Sequence, residues 1–128
     1  FCAGLDRAPG DMRAAGAAGA RVVLLSFYHL RDDAAGNWRK HVTEQRLRVL
    51  LDSGAFSAME AQAKGKAVRA LRVEDYAAFV AEHKDLLVGW LNLDISGDPA
   101  GSRANSAYLR AQGLAPIEVW HSDWPIED

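Results

Sequence analysis

A carboxylate followed by small residues and then a phenyl ring, Asp52-Ser53-Gly54-Ala55-Phe56, is the arrangement in this sequence best suited to chemistry. It follows Arg48-Val49-Leu50-Leu51, an apolar run that reads as a buried strand. A carboxylate ending such a strand sits at the mouth of a sheet, partly out of water. Desolvation raises a carboxylate pKa and suits the group to general acid–base work. Gly54 and Ala55 carry little bulk, so a ligand could approach the backbone, and Phe56 would offer it a flat apolar face. The plainer reading makes Asp52 the cap of a following turn. Asn92-Leu93-Asp94-Ile95 places a second carboxylate at the end of another strand. Two such groups could divide acid and base roles, or accept hydrogen bonds from the N–H edge of a purine-like base. The plainer reading has Asp94 capping the Ser96-Gly97-Asp98-Pro99 turn.

His121, followed by Ser122 and Asp123, could shuttle a proton or stand as a hydrogen-bonded structural residue. Neither His-x-His nor His-Glu-x-x-His spacing occurs, so no metal site is expected from the histidines. His83 falls near a helix end, where it would cap carbonyls. Ser53 lacks the Gly-x-Ser-x-Gly context of a hydrolase nucleophile. Lys64 to Arg72 holds four basic residues without an acid, and Lys64, Lys66 and Arg69 could contact nucleic-acid phosphates or simply line a solvated loop. Trp90 and Trp120 read as core residues inside strands.

These groups need elements to position them. Asp11 to Ala20 reads as a short Ala/Gly-rich helix. Arg21 to Tyr28 is a continuous apolar run, expected to be a strand buried on both faces, and Arg48 to Asp52 is a second. Arg31 to Asn37 reads as a loop, Trp38 to Leu47 fits no single pattern, and Ala58 to Arg69 reads as a small-residue basic connection. Val73 to Lys84 carries Val73, Tyr76, Ala77, Val80 and Ala81 on one stripe and predicts a helix. Leu86 to Asp94 predicts a third strand, Ser102 to Gln112 a helix closed by Gly113, and Pro116 to His121 a fourth strand. Buried strands alternating with amphipathic helices imply an α/β fold of parallel βα units. The open alternatives are a doubly wound sheet and the first half, about four strands, of a TIM-type (β/α)8 barrel, which needs about 250 residues in all. No Gly-x-Gly-x-x-Gly follows the first strand, which argues against a dinucleotide-binding sheet. Asp52, Asp94 and His121 all fall at strand carboxyl ends, where both architectures build their sites.

Length bounds the rest. The chain has 128 residues, suited to a single domain over residues 1–128. It starts at Phe1 and stops at Asp128 with no helix after the last strand, so both ends read as cut and a partial barrel is expected. Hydrophobic residues make up 49%, 23 residues being alanine, which leaves enough large side chains for a core. The net charge of −2 provides no global field for nucleic acid, so any such contact must be local. The single Cys2 excludes an internal disulfide framework and a multi-cysteine zinc site, and reducing surroundings, hence the cytoplasm, are expected. No apolar run approaches the roughly 20 residues of a membrane-spanning helix.

Leu51-Asp52-Ser53-Gly54-Ala55-Phe56-Ser57 resembles the Asp-Ser-Gly-Gly-Phe-Gln signature of tRNA-guanine transglycosylases. It is closer to phage and bacterial relatives that place 7-deazaguanine bases into DNA and carry Asp-Ser-Gly-Ala-Phe-Ser. In those relatives Glu-x-Tyr, Asn-Leu-Asp, an Asn-containing helix and Pro-x-x-Val-x-His follow in order. Here these are Glu74-Asp75-Tyr76, Asn92-Leu93-Asp94, Asn105 with Tyr108, and Pro116 to His121, so the resemblance spans residues 48 to 122. It implies a (β/α)-barrel transferase that exchanges guanine in DNA or tRNA for a 7-deazaguanine through a covalent glycosyl-enzyme. By motif, Asp52 is similar to the general acid/base and Phe56 to the ring that stacks on the base. Ser53, Gly54, Asp94 and His121 fall at the substrate side, with Asp94 resembling the carboxylate that reads the base edge. The family's nucleophilic aspartate and its zinc site match nothing in this chain and would lie beyond Asp128. No cofactor is therefore expected within these residues, and the chain alone is expected to be inactive. Ala55 and Ser57 stand where the tRNA enzymes have Gly and Gln, which favours the DNA-directed relatives. Two alternatives remain open: a glycoside hydrolase using Asp52 and Asp94, with carboxyl groups about 5 to 9.5 Å apart, and a non-catalytic nucleic-acid-binding remnant.

Overall fold

A computed structural model describes residues 2–3, 13, 16–33 and 35–119. Most of the expected helix at 11–20, and the Trp120-His121 end of the expected last strand, lie outside the described residues. The described elements are β1 (Cys2–Ala3), β2 (Val22–Ser26), the one-turn helix α1 (Phe27–Leu30), α2 (Asn37–Glu44), β3 (Arg48–Asp52), α3 (Ala55–Ala63), α4 (Val73–His83), β4 (Leu87–Trp90) and α5 (Pro99–Ala111). The strands pair in parallel in the order β1-β2-β3-β4, and Leu91 bridges in parallel to Ile117 beyond β4. The protein is thus an α/β fold of parallel βα units. Strands that follow chain order keep crossovers of one hand on one side of the sheet.

That sidedness shows in the burial. Val23, Leu25, Val49, Leu51 and Leu87 are buried with Leu30, Trp38, Val42, Tyr76, Val80 and Leu109 from the helices. Along β2 and β3 the alternate residues are half-buried, as at Leu24 and Leu50, or exposed, as at Arg48. The expectation of strands buried on both faces therefore holds for one face alone.

Three elements depart from the sequence reading. The first apolar run leaves the sheet at Ser26, because Phe27 turns into an aromatic cluster, edge-on to Tyr76 and Phe79 with centroids 5.3 and 5.2 Å away. The region 58–69, expected as a connection, begins instead with α3, which starts directly after Gly54. The third strand is cut from 86–94 to 87–90 by a register shift and by Gly89, against which Ile117 Cδ1 packs. Beyond it the chain is knitted singly: Leu91 N donates to Leu51 O at 2.8 Å and Asn92 N to Ile117 O at 2.9 Å. Val73–His83 forms a helix as its stripe predicts, with Tyr76, Ala77 and Val80 inward. Helix α5 starts earlier than expected, because Asp98 caps it by accepting from Gly101 N at 2.9 Å and Pro99 fits the first turn.

Candidate active site

Parallel strands direct all their carboxyl ends to one edge of the sheet, and there a cavity of about 530 Å³ opens. Asp52, Phe56 and Asp94 line it together, with Met59, Val68, Leu71, Leu91 and Leu93 among its apolar walls. The volume falls in the ordinary range for a small-molecule site. Asp52 closes β3 and is half-buried. Asp94 is buried at 9% exposure, whereas Phe56 is 66% exposed, an unusual state for a phenyl ring beside a cavity.

Each position has a local cause. The backbone around Asp94 is gripped from both sides by α5: Asn105 Nδ2 donates to Leu93 O at 2.8 Å, and Ile95 N donates to Ser102 Oγ at 2.8 Å. Asn92 Nδ2 donates to Ser102 O at 2.9 Å and ties the same segment again. The turn bonds that an Asp94 cap would supply are therefore served in part by Ser102 and Asp98. Below the site, the buried Tyr76 hydroxyl donates to Leu91 O at 2.6 Å. Burial, and then the charge of Asp52, hold this phenol above its ordinary pKa, so it remains a neutral donor. The Asp52 loop turns on Gly54, which starts α3 in the left-handed region at φ 82°. Phe56 follows in the first turn of α3 and projects to the cavity.

Gly54 acts otherwise than the sequence suggests. It does not line the cavity; a Cβ built on it would lie 2.2 Å from Ser26 Oγ and 2.3 Å from Tyr28 Cβ. Its bare backbone admits β2 and α1, and Tyr28 N donates to Ser53 O at 3.2 Å across the same contact. Ser53 is buried at 2% exposure, and its Oγ accepts from Ala55 N at 3.3 Å. Of the three basic candidates, Lys64 and Lys66 are exposed and line no cavity described here, while Arg69 lines the site and pairs with Asp32 at 3.0 Å. His121 lies outside the described residues.

Sequence reasoning missed Arg31. Its guanidinium donates to Ala70 O at 2.9 Å and to Arg69 O at 2.7 Å, clamping the segment whose Val68, Ala70 and Leu71 form one cavity wall. Contacts to carbonyls 38 and 39 residues away leave no mark in local pattern. His83 does not cap carbonyls as expected. It is buried against Trp38 and Phe79, and Arg39 Nη1 donates to its Nδ1 at 3.0 Å. Arginine only donates, so Nδ1 accepts and the ring is neutral with its proton on Nε2.

Among the described residues no group of three or more His, Cys, Asp and Glu could hold a metal ion. No described helix is long and apolar enough to cross a membrane. No family model matches this chain, and neither a curated protein nor a solved structure matches it.

Proposed function

We propose that this chain forms the first part of a (β/α)-barrel transferase that exchanges guanine in nucleic acid for a 7-deazaguanine. The observation that carries the reading is the single cavity shared by an exposed phenyl ring, Phe56, and two carboxylates, Asp52 and Asp94. Such a cavity suits a flat ligand with apolar faces and a donor-rich edge. A guanine-type edge presents N–H donors to a carboxylate, whereas adenine presents a ring acceptor that an ionised carboxylate repels. In this reading Phe56 stacks on the base and Asp94 accepts from its edge. Asp52 holds or returns the proton at the departing ring nitrogen. The attacking carboxylate belongs to a segment beyond Asp128. The sequential parallel strands and the half-buried Leu24 and Leu50 face are compatible with one arc of a barrel wall. The apolar walls disfavour a glycoside hydrolase, whose sugar needs hydrogen-bonding walls. A base must leave its stack to enter, so in this reading the partner is a single-stranded or opened nucleic acid, DNA or tRNA, and the setting is the cytoplasm.

Calorimetric titration of free 7-deazaguanine and 7-deazaadenine into the protein tests the reading. The guanine analogue should bind more tightly, Phe56→Ala should weaken it by about 5- to 150-fold, the worth of one stacked base, and Asp94→Asn should erase the preference. Asp52→Asn should keep base binding and, in a protein that continues through the remaining strands, lose exchange of labelled guanine. Equal binding of the two bases, or an inert Phe56→Ala, overturns the proposal.

A further inference from the structure

The segment Ala67–Arg69 has a second cavity on its other side, about 390 Å³, lined by Tyr28, His29, Arg31, Asp32 and Arg69 and mainly polar. The two cavities share Val68 and Arg69. The first holds the two carboxylates Asp52 and Asp94 against the shared Arg69; the second holds Arg31 and Arg69 against the one carboxylate Asp32. Arg31 is fixed in place by its two carbonyl acceptors and by the Tyr28 ring, 5.4 Å from its guanidinium carbon. Its hydrogen-bond partners are neutral carbonyls, while Asp75 and Glu82 line a further cavity with it and Arg69. Arg69 is compensated by Asp32, but both side chains are about two-thirds exposed, at 67% and 69%, and such a pair is easily exchanged.

We infer that this second cavity binds a backbone phosphate of the strand whose base enters the first cavity, with Arg31 and Arg69 as its ligands and Asp32 as the group that the phosphate displaces. The inference rests on the base-exchange reading of the first cavity. A base and its phosphate are covalently joined and opposite in their demands: the donor edge seeks carboxylates, and the phosphate seeks guanidinium groups. Two adjacent cavities of matching polarity, divided by one short stretch of chain, meet both demands. The shared chemistry is a phosphate oxyanion, and the strand rather than free phosphate is the assigned source because the two cavities adjoin.

The test is the opposed effect of two substitutions on binding of a fluorescent single-stranded oligodeoxynucleotide, read by polarisation across a salt series. Arg69→Met should weaken binding about three- to tenfold and lower the salt slope by about 0.7, the share of one single-strand phosphate contact. Asp32→Asn should tighten binding about two- to fivefold, the scale of an exposed charge pair. A purely structural Arg69–Asp32 strap would make both variants shift the same way, and that result, or no shift, overturns the inference. An oligomer of neutral methylphosphonate linkages should lose both responses; retaining them also overturns it. Opposed responses with inorganic phosphate but not with the oligonucleotide refute the strand as source. Free 7-deazaguanine titrated into the Asp32→Asn variant, whose changed residue lines only the second cavity, should bind as in the unmodified protein. If that base never binds while the opposed responses persist, the base-exchange reading fails and the phosphate site stands.

Discussion

Replacing Gly54 by alanine should damage this protein more than its single added methyl suggests, and the structure supplies the magnitude. Two costs combine. Gly54 has φ 82°, and an L-residue in the left-handed region costs about 1–2 kcal/mol. The new Cβ would also meet Ser26 Oγ at 2.2 Å and Tyr28 Cβ at 2.3 Å, distances that force β2 or α1 to move, and overpacking of this kind costs about 1–3 kcal/mol. Gly65 separates the two costs, since it has φ 78° but nothing within 4 Å of its Cβ position. Gly65→Ala should therefore lose only about 1–2 kcal/mol, and Gly54→Ala about 2–5 kcal/mol. For a chain of this size each kcal/mol moves Tm by roughly 4 °C. Urea and thermal unfolding followed by circular dichroism should then give Tm losses of about 4–8 °C for Gly65→Ala and about 8–20 °C for Gly54→Ala. Because Gly54 sits between Asp52 and Phe56, any folded Gly54→Ala protein should also bind 7-deazaguanine more weakly. Equal losses at the two glycines would refute the argument that Gly54 exists to admit β2 and α1.

Tyr76→Phe should cost about 1–3 kcal/mol, because it leaves the Leu91 carbonyl without its buried donor. The measurement is a lower urea midpoint at unchanged m-value, and an unchanged midpoint would remove Tyr76 as a support of the strand end. Stability should also fall in mild acid through His83, whose folded-state pKa lies below the ordinary 6.5, chiefly through burial and further through the charge of Arg39, against the opposing pull of Glu82 and Asp85. The neutral ring is the folded form, so the unfolded chain binds the extra proton. The contribution is complete above about pH 6.5 and is lost as pH falls through that value toward the lowered one. Asp85, lowered by its hydrogen bond from Arg39, loses its contribution only at more acidic pH, below its ordinary 3.8. Tm should therefore decline between pH 7.5 and 5, and His83→Gln should flatten the decline; an equally steep slope in that variant would assign it to other groups.

What could be read from the sequence follows the physics of pattern. Arg48–Asp52 forms the strand its composition predicts, and Val73–His83 forms the helix its stripe predicts, because each buries one face against many partners. Helix α3 was illegible. It buries only Ala58 and Ala61, one turn apart, and two methyl groups make no stripe against an alanine-rich background. Phe27 reads as strand because β-propensity describes the residue, whereas its place is decided by Tyr76 and Phe79 far along the chain. At the site, the placement of Asp52 at the end of β3, and of Asp94 just beyond β4, follows from strand patterns, which are local. The structural use of Gly54 and the Arg31 clamp are not local: one depends on the approach of β2, the other on carbonyls beyond α3.

The missed helix is also what makes the site possible. Asp52 and Asp94 reach one edge because β3 and β4 run parallel; antiparallel pairing would send them to opposite ends of the sheet. Strand ends alone, however, supply only carboxylates. The phenyl ring arrives because the chain reverses at Gly54 and enters α3 at once, so that Phe56 comes two residues after the turn, before the helix has carried the chain away from the edge. Had residues 55–63 been an irregular connection, nothing would hold a solvent-exposed ring at a fixed angle over the cavity. The left-handed turn, where any side chain would collide with Ser26 and Tyr28, thus couples the packing of β2 and α1 to the start of the helix that carries the ring. In this fold the loop between Asp52 and Phe56 therefore cannot be relaxed by substitution without moving the ring and the carboxylate relative to each other.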